Sequence, residues 1–322
     1  MFSVVMAVRD KPHTIASTLQ SVLAQTFTHF ELTLVGDPGD SSLCIAASIS
    51  DPRIRICHQP NIGQGPARNA GIEASRGDWI AFLDADDLWL PNHLAELDSI
   101  RRFHPEAGLI GTHFIDTDLS GTFDPADARV GSIARIDYFR EVGLGAPTLF
   151  TSSAAIGRAA FDRVGGFSND HFGEDSLLWA RIAMHFPVAV STRGTVLYRH
   201  GTGGITDTGR DRWNNLDSVS DLSPPVAWLV ERYGEIGTPE RRRSVDLFIR
   251  RYFDWCLRTS IAIGDYRTVR RLRLIYWGRP TAAHSLLLAI GLLPEGLAAA
   301  AYGLGFRIKA LMRLLSPVDR HA

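Results

Sequence analysis

The first two-thirds of the chain reads as an α/β fold, a doubly wound and mostly parallel sheet with helices on both faces. Three observations predict it. The runs 2–8 and 79–83 are apolar and lack polar alternation, as strands buried on both faces of a parallel sheet do. Strand-like and helix-like segments alternate from the N-terminus onward, the order that builds parallel α/β sheets. The run 79–83 leads straight into Asp84-Ala85-Asp86-Asp87, so the carboxylates sit at the C-terminal end of a strand, where open α/β sheets bind ligands.

The elements follow in order. Residues 2–8 are apolar and β-branched, a first strand; they are too short and lack the basic flank of a signal peptide. Arg9-Asp10-Lys11-Pro12 breaks the strand, and Ile15, Leu19, Val22 and Leu23 recur at helical spacing. A second strand over 30–35 ends in the turn-rich Gly36-Asp37-Pro38-Gly39-Asp40. A helix over 41–50, a strand over 53–58, a loop at 61–66 and a helix over 67–74 precede the strand at 79–83. Residues 91–104 predict a helix with Pro in its first turn, and 107–115 a strand. The Gly- and Asp-rich stretch 116–147 reads as a long loop near the site. An extended segment over 148–156 and a short helix over 158–164 follow, the latter ended by Gly165-Gly166. A helix over 174–186 and a strand over 188–198 complete this part. Residues 201–223 are polar and weakly patterned, a loop or linker.

Beyond Pro224-Pro225 the pattern is helical, with helices expected over 228–233, 244–263 and 266–276. The expected division is therefore an α/β unit, 1–223, followed by a helical appendage, 224–322. The chain has 322 residues, 45% hydrophobic and 21% charged, with a net charge of −1. That balance gives no general attraction for nucleic acid. It hides an asymmetry: residues 1–223 hold 18 Lys/Arg against 27 Asp/Glu, a net of −9, while 224–322 hold 16 against 8, a net of +8. The acidic part needs cations, and the basic part suits an anionic surface. Residues 286–306 are nearly uncharged but cut by Pro294-Glu295-Gly296, so they predict two short helices rather than a membrane span. Two readings of the tail stand side by side: attachment to the inner face of an anionic membrane, or packing on the α/β unit. Cys44, Cys57 and Cys256 are scattered, without disulfide or zinc spacing, which fits a reducing, cytoplasmic setting.

Neither Gly-x-Gly-x-x-Gly nor Gly-x-x-x-x-Gly-Lys-Ser/Thr occurs, so dinucleotide and P-loop chemistry are excluded. The acidic cluster carries the alternative. Asp84 and Asp86 flank one residue and, on an extended segment, face the same side. Clustered carboxylates repel unless a cation joins them, and hard oxygen ligands suit Mg²⁺ or Mn²⁺. Asp87 reads as a cap for the helix near residue 91. Trp89, Trp179 and Phe167 either stack on sugar faces or, more commonly for such residues, fill the core.

Six pieces in order resemble family 2 glycosyltransferases: Ser3 to Asp10, the loop around Asp37, Asn61 with Ala67-Arg68-Asn69-Ala70-Gly71-Ile72, Gly77 to Pro91, Gly165-Gly166-Phe167 with Gly173-Glu174-Asp175, and Tyr198-Arg199-His200-Gly201. The resemblance spans about residues 2–205 and implies that 1–223 is a catalytic unit with a donor half, 1–115, and an acceptor half, 116–223. It implies a GT-A fold and transfer of a sugar from a nucleotide-diphospho-sugar, UDP- or dTDP-type, to a glycan or lipid-linked acceptor with inversion. It implies a donor pocket including Ala7, Val8, Asp10, Asp37, Arg68 and Asp84. Asp37 would accept from the pyrimidine N3–H; Arg68 would attract the diphosphate or pair with Asp84; Asp84 would meet the ribose or a metal-bound water. Asp86 and His200 would hold the divalent cation. Asp175 would be the catalytic base, and Glu174 would orient it or bind acceptor hydroxyls. Three departures bear on the base and ribose contacts: Gly36 where the family often has a first Asp, Pro38 where it has Gly, and Ala7-Val8-Arg9-Asp10 where it has Pro-x-Tyr-Asn. Two rivals are a sugar-1-phosphate nucleotidyltransferase, which would need a Gly-rich basic loop after the first strand, and a non-catalytic nucleotide-sugar binder, which would tolerate loss of Asp86 or Asp175.

Overall fold

The computed structural model describes residues 1–59, 63–124, 128, 131–146, 149–170, 173–203 and 223–262. The helices expected over 266–276 and within 286–306, and most of the polar stretch 201–223, lie outside the described residues.

Strands β1 (Phe2–Ala7), β2 (Phe30–Gly36), β3 (Ile54–His58) and β4 (Trp79–Phe82) alternate with helices α1 (Ile15–Leu23), α2 (Ser41–Ala47) and α3 (Gln64–Ala74). β1 pairs in parallel with β2, running Phe2↔Phe30 to Ala7↔Val35, and with β4, running Phe2↔Trp79 to Val5↔Phe82. These registers bring the segments after β1, β2 and β4 to one rim. The chain continues through β5 (Leu88–Trp89), α4 (His93–Phe103), β6 (Leu109–Thr117), β7 (Ile133–Ile136), α5 (Tyr138–Leu144), β8 (Ala154–Gly157), α6 (Arg158–Val164), α7 (Glu174–His185) and β9 (Val188–Arg199). Then come α8 (Pro224–Glu231) and α9 (Pro239–Ala262). The sheet order is β3-β2-β1-β4-β8-β6-β9-β5, with β7 also on β9. β1 to β4, β6 and β9 share one direction, while β8, β5 and β7 oppose it.

Period-two alternation divides the strands between two cores. Phe2, Val4 and Met6 of β1 and Ala81 of β4 join Ile15, Leu19, Val22, Leu94, Leu97 and Ile100 from α1 and α4. Val5, Ile80 and Phe82 point the other way, against Ile72 of α3, Leu178 and Trp179 of α7, and Val245 and Phe248 of α9. Thus α8 and α9, expected as an appendage, share a core with the sheet. Phe248 packs edge-on against Phe139 of α5 at 5.4 Å.

Several boundaries differ from expectation. The stretch 116–147 is not all loop: it contains β7 and α5. β7 is four residues with two exposed, too short to show a period, and α5 is a seven-residue helix interrupted by Gly143. Its termini were visible in principle, since Asp137 accepts Arg140 N–H and Gly145 closes it at φ 86°. Gly143 is there for proximity: a Cβ would meet the Leu247 backbone at 2.7 Å. The segment expected to be extended over 148–156 holds a 3₁₀ turn at Thr151–Ser153 before β8. Two-residue β5 is invisible to any pattern.

Gly36 has a similar reason. A Cβ there would lie 2.6 Å from the Val8 carbonyl oxygen and 3.0 Å from Leu43 Cδ1. An aspartate is therefore excluded by the close approach of the chain after β1. Gly36→Asp is expected to destabilise the fold by about 1–3 kcal/mol through overpacking, read as a lower urea midpoint. An unchanged midpoint would mean that the two segments separate at little cost.

Candidate active site

The rim built by the parallel registers gathers residues 8–11, 37–40 and 84–87, and β9 adds 199–202. The organising side chain is Arg68, in the first turns of α3. It is 2% exposed. Nη1 donates to Glu174 Oε1 at 2.8 Å and Nη2 to Asp84 Oδ1 at 2.7 Å and Gln64 Oε1 at 3.2 Å. The guanidinium also covers the Phe167 ring at 5.3 Å. Burial alone disfavours its cation, but Asp84 and Glu174 outweigh this and hold the pKa above its ordinary value.

The rest of the Ala67–Ile72 run has local reasons too. Asn69 brackets Phe167, donating to its carbonyl and accepting its N–H, both at 2.8 Å. Gly71 lets α3 settle on β1, since a Cβ would fall 2.5 Å from Val5 Cγ1. Gly166 packs against Asn69 Oδ1, where a Cβ would come to 2.3 Å. The run from the donor half and the Gly-Gly-Phe run from the acceptor half are thus one contact.

Asp84 keeps 31% of its side chain accessible. Burial raises its pKa, Arg68 opposes, and Asp86 and Asp175 add to the rise. Asp86 meets the Lys11 ammonium at 2.7 Å and accepts Thr202 Oγ1–H at 2.9 Å. Asp87 does not cap a helix. It is buried, takes the Ser152 hydroxyl at 2.6 Å and the Arg199 N–H at 3.1 Å, and joins the acidic loop to β8's approach and to β9. Burial, then Asp84 and Asp86, push its carboxyl well above the usual range. Arg199 lies beneath, donating to the Asp86 carbonyl, to Ser17 Oγ at 3.0 Å and to Thr18 Oγ1 at 2.8 Å. The cations that the acidic cluster requires are partly the protein's own.

Glu174 and Asp175 open α7 after Gly173, which adopts φ 79°. Glu174 faces Arg68; burial and then Asp175 raise its pKa, with Arg68 opposing. Asp175 is half-buried, accepting Thr151 Oγ1–H at 3.3 Å and Ser176 N–H at 2.5 Å. Asp37 is exposed and accepts Gly39 N–H at 2.9 Å, an Asx turn. Ala7 ends β1, and Val8 N–H continues the ladder to the Val35 carbonyl at 2.8 Å. Asp10 takes φ 52° and donates its N–H to Asp40 Oδ2 at 2.7 Å. His200, 51% exposed, places Nε2 2.8 Å from Asp116 Oδ1 rather than presenting it with Asp86. Trp89, Trp179 and Phe167 are buried core.

Among the described residues no group of three or more His, Cys, Asp or Glu side chains converges as a metal cage. The donor set fits a hard divalent ion bound through one carboxylate, its shell completed by substrate phosphates and water, as Mg²⁺ sites commonly are. Asp86 is the carboxylate of the loop that could hold it. Lys11, Ser152, Thr151 and Arg199 were not singled out by sequence; Arg199 had a signal, being embedded in Tyr198-Arg199-His200-Gly201, while the other three sit in unpatterned turns.

A family model for glycosyl transferase family 2 matches residues 3–165. The chain belongs to that family. It is similar to the succinoglycan biosynthesis protein ExoO of Rhizobium meliloti, 42% identical over 29% of this chain and 27% of ExoO. It is also similar to an uncharacterized glycosyltransferase of Haemophilus influenzae, 26% identical over 52% of this chain and 56% of the relative. A third relative is the Escherichia coli UDP-Glc:alpha-D-GlcNAc-diphosphoundecaprenol beta-1,3-glucosyltransferase WfgD, 34% identical over 29% of this chain and 38% of WfgD. The matches thus span only part of each of these curated relatives, from 27% to 56% of its length. Among solved structures, S. aureus TarS 1-349 in complex with UDP-GlcNAc superposes with a TM-score of 0.65 at 16% identity, covering 94% of this chain and 89% of TarS 1-349. The mannosyltransferase PcManGT of Pyrobaculum calidifontis, in complex with GDP-Man and Mn²⁺, gives 0.57 at 17% identity, covering 99% and 88%. These likenesses establish the GT-A glycosyltransferase fold.

Replacing Arg68 tests the centre of the site. In the native fold Asp84 and Glu174 both have raised pKa values, so the stability they contribute is fully present below the unfolded carboxylate range and is lost as pH rises through their folded values. Arg68→Met removes the opposing charge, raises both values further and deepens that loss. Unfolding free energy is expected to fall by about 3–5 kcal/mol at pH 8 and by clearly less at pH 5.5. Equal losses at the two pH values in urea titrations would show that lost packing, not uncompensated charge, dominates.

Proposed function

We propose that the protein transfers a sugar from a UDP- or dTDP-type nucleotide sugar to an acceptor hydroxyl, with inversion at the anomeric carbon. The observation that carries this reading is the Arg68 bridge. It ties the acidic loop after β4 to the start of α7, so that Asp84 lies within electrostatic reach of both Asp86 and Asp175. Support for the donor comes from the family and from neighbours of the same fold crystallised with nucleotide sugars. The acceptor in this reading is a growing glycan or lipid-linked sugar in cell-surface polysaccharide synthesis, by analogy with relatives named for succinoglycan and for a diphosphoundecaprenol-linked acceptor.

Asp175 takes the proton from the acceptor hydroxyl as that oxygen attacks the anomeric carbon. The bond from that carbon to the diphosphate oxygen breaks in the same step, and the nucleoside diphosphate leaves with the electron pair. Thr151 and the Ser176 N–H hold the Asp175 carboxylate at the start of α7. Glu174 acts through Arg68, fixing the guanidinium so that Asp84 keeps its place beneath the ribose. The Val8–Asp10 turn and Asp37 line the nucleotide side. Mg²⁺ or Mn²⁺ on Asp86 would supply Lewis-acid charge to the departing diphosphate. His200 enters that role only by leaving Asp116, so Asp86 alone is assigned to the cation.

Incubation with UDP-, dTDP- and GDP-sugars plus Mn²⁺ is expected to give slow donor hydrolysis with one of them, and no hydrolysis of any sugar by folded protein would remove the proposal. Asp175→Asn keeps the side-chain shape and removes the basic oxygen. Transfer should fall by roughly 10²-fold or more, while UDP affinity by calorimetry changes by less than about threefold. Activity near wild type would leave Asp175 a helix-dipole residue. Excess EDTA is expected to abolish transfer, and full activity in its presence would sink the metal role.

We place the protein at the cytoplasmic face of an anionic membrane, held through the basic C-terminal region. No helix among the described residues is long and apolar enough to cross a membrane. Residues 284–322 lie outside them; the net +8 of 224–322 and the nearly uncharged stretch 286–306 support the assignment. Flotation with anionic liposomes should recover the full chain and lose the form lacking 284–322. Equal recovery would favour packing on the catalytic unit instead.

A further inference from the structure

We propose that Lys11 is a resident cation of the donor diphosphate site, stored on Asp86 before the donor arrives and passed to the diphosphate when donor and divalent cation enter. The inference rests on the donor reading above and adds a residue and an exchange to it.

Three cations bond to the acidic loop among the described residues, and their mountings differ. Arg68 is locked between two carboxylates and almost fully buried. Arg199 is spent on the Asp86 carbonyl and on the Ser17 and Thr18 hydroxyls. Lys11 pairs with a single carboxylate. Its N–H donates to Ser42 Oγ at 2.8 Å, and its carbonyl accepts Thr14 N–H at 3.2 Å and Ile15 N–H at 3.1 Å. The backbone is therefore held, and the four-carbon stem gives the ammonium a second position within reach. The ammonium contacts Asp86 Oδ2 at 2.7 Å and the Thr202 carbonyl at 3.0 Å, and the Thr202 hydroxyl meets the same carboxylate oxygen. Both charged side chains remain 16% exposed, so the pair is not sealed from solvent.

A divalent ion on Asp86 would bring a second positive charge against that ammonium, and like charges at such spacing repel strongly. The ammonium must leave as the ion arrives. A diphosphate beside Asp86 is then the nearest anion, and lysine suits the exchange because its charge is a compact point with three rotatable donors rather than a rigid fork. In this arrangement Lys11 prevents uncompensated charge on Asp86 in the empty protein and adds a second positive charge to the occupied one. Nucleotide-free protein should bind Mn²⁺ weakly, because the ion has to displace a paired lysine.

Lys11→Met and Lys11→Gln separate the two halves, since removing the ammonium has opposite effects on the two ligands. By calorimetry with UDP, dTDP and GDP in saturating Mn²⁺, the variants should bind the preferred nucleotide about tenfold or more weakly than wild type, the loss of one charge-assisted contact. By electron paramagnetic resonance, nucleotide-free variants should bind Mn²⁺ about fivefold or more tightly, Asp86 having lost its competitor. Thermal melts establish that each variant is folded, and having two variants guards against failure of one. Nucleotide affinity within about twofold of wild type in a folded variant would overturn the proposal. Weakened nucleotide binding with unchanged Mn²⁺ affinity would overturn the storage on Asp86. If none of the three nucleotides binds the wild-type protein, the donor reading falls, and this inference with it.

Discussion

A guanidinium buried between two carboxylates from different parts of the chain is the constraint on which the rest of the site depends. Arg68 leaves water only because Asp84 and Glu174 compensate it, and each carboxylate tolerates its own burial only because of Arg68. Such a triad is poor evidence of stability for its own sake. Removing any member strands a charge, so it holds the acidic loop after β4 and the start of α7 in one relation. Asn69 and Gly71, on the same helix, fasten that relation to the Gly-Gly-Phe turn and to β1.

The acidic loop is managed by several compensations of different kinds. Asp84 has a buried arginine, Asp86 a flexible lysine, and Asp87 a serine hydroxyl with a backbone N–H. Asp84 and Asp87 are integral to the fold's rigidity, while Asp86 has its charge answered by a group able to move. A binding site needs one exchangeable partner among fixed ones. The α1 face supports the loop from behind: the Thr14 hydroxyl reaches the Ala85 carbonyl at 2.9 Å, and Thr18 reaches it at 3.2 Å.

The helices after residue 223 extend the catalytic unit as far as they are described. Val226, Leu229, Val245 and Phe248 lie in the same core as Phe82 and Trp179. Tyr252 of α9 is partly buried close to Ser176 and Asp175, and that burial raises its pKa. The C-terminal region therefore contributes to the surroundings of the proposed base. Residues 224–252 lend their apolar side chains to the same face of the sheet as α7.

Much of this protein was legible in its residues. The apolar runs ending at Ala7 and Phe82, the alternation of strand and helix, and the acids after Leu83 determined a parallel α/β sheet with a site at the strand ends. Pattern sufficed because burial on both faces leaves a periodic mark. Short elements such as β5, β7 and α5 left none: two to seven residues carry too few periods, and their pairing energy comes from β9 and α9, which are distant in sequence. Charge pairing was legible in part: Arg68 with Asp84 was one of two readings, while the bonds from Arg68 to Glu174 and from Lys11 to Asp86 left no mark. Arg68 could be read as surface or site, Glu174 as a partner of Asp175, and Lys11 as part of a strand break. Which cation answers which carboxylate depends on where strands end relative to one another and on how far water reaches, and only the tertiary structure decides either.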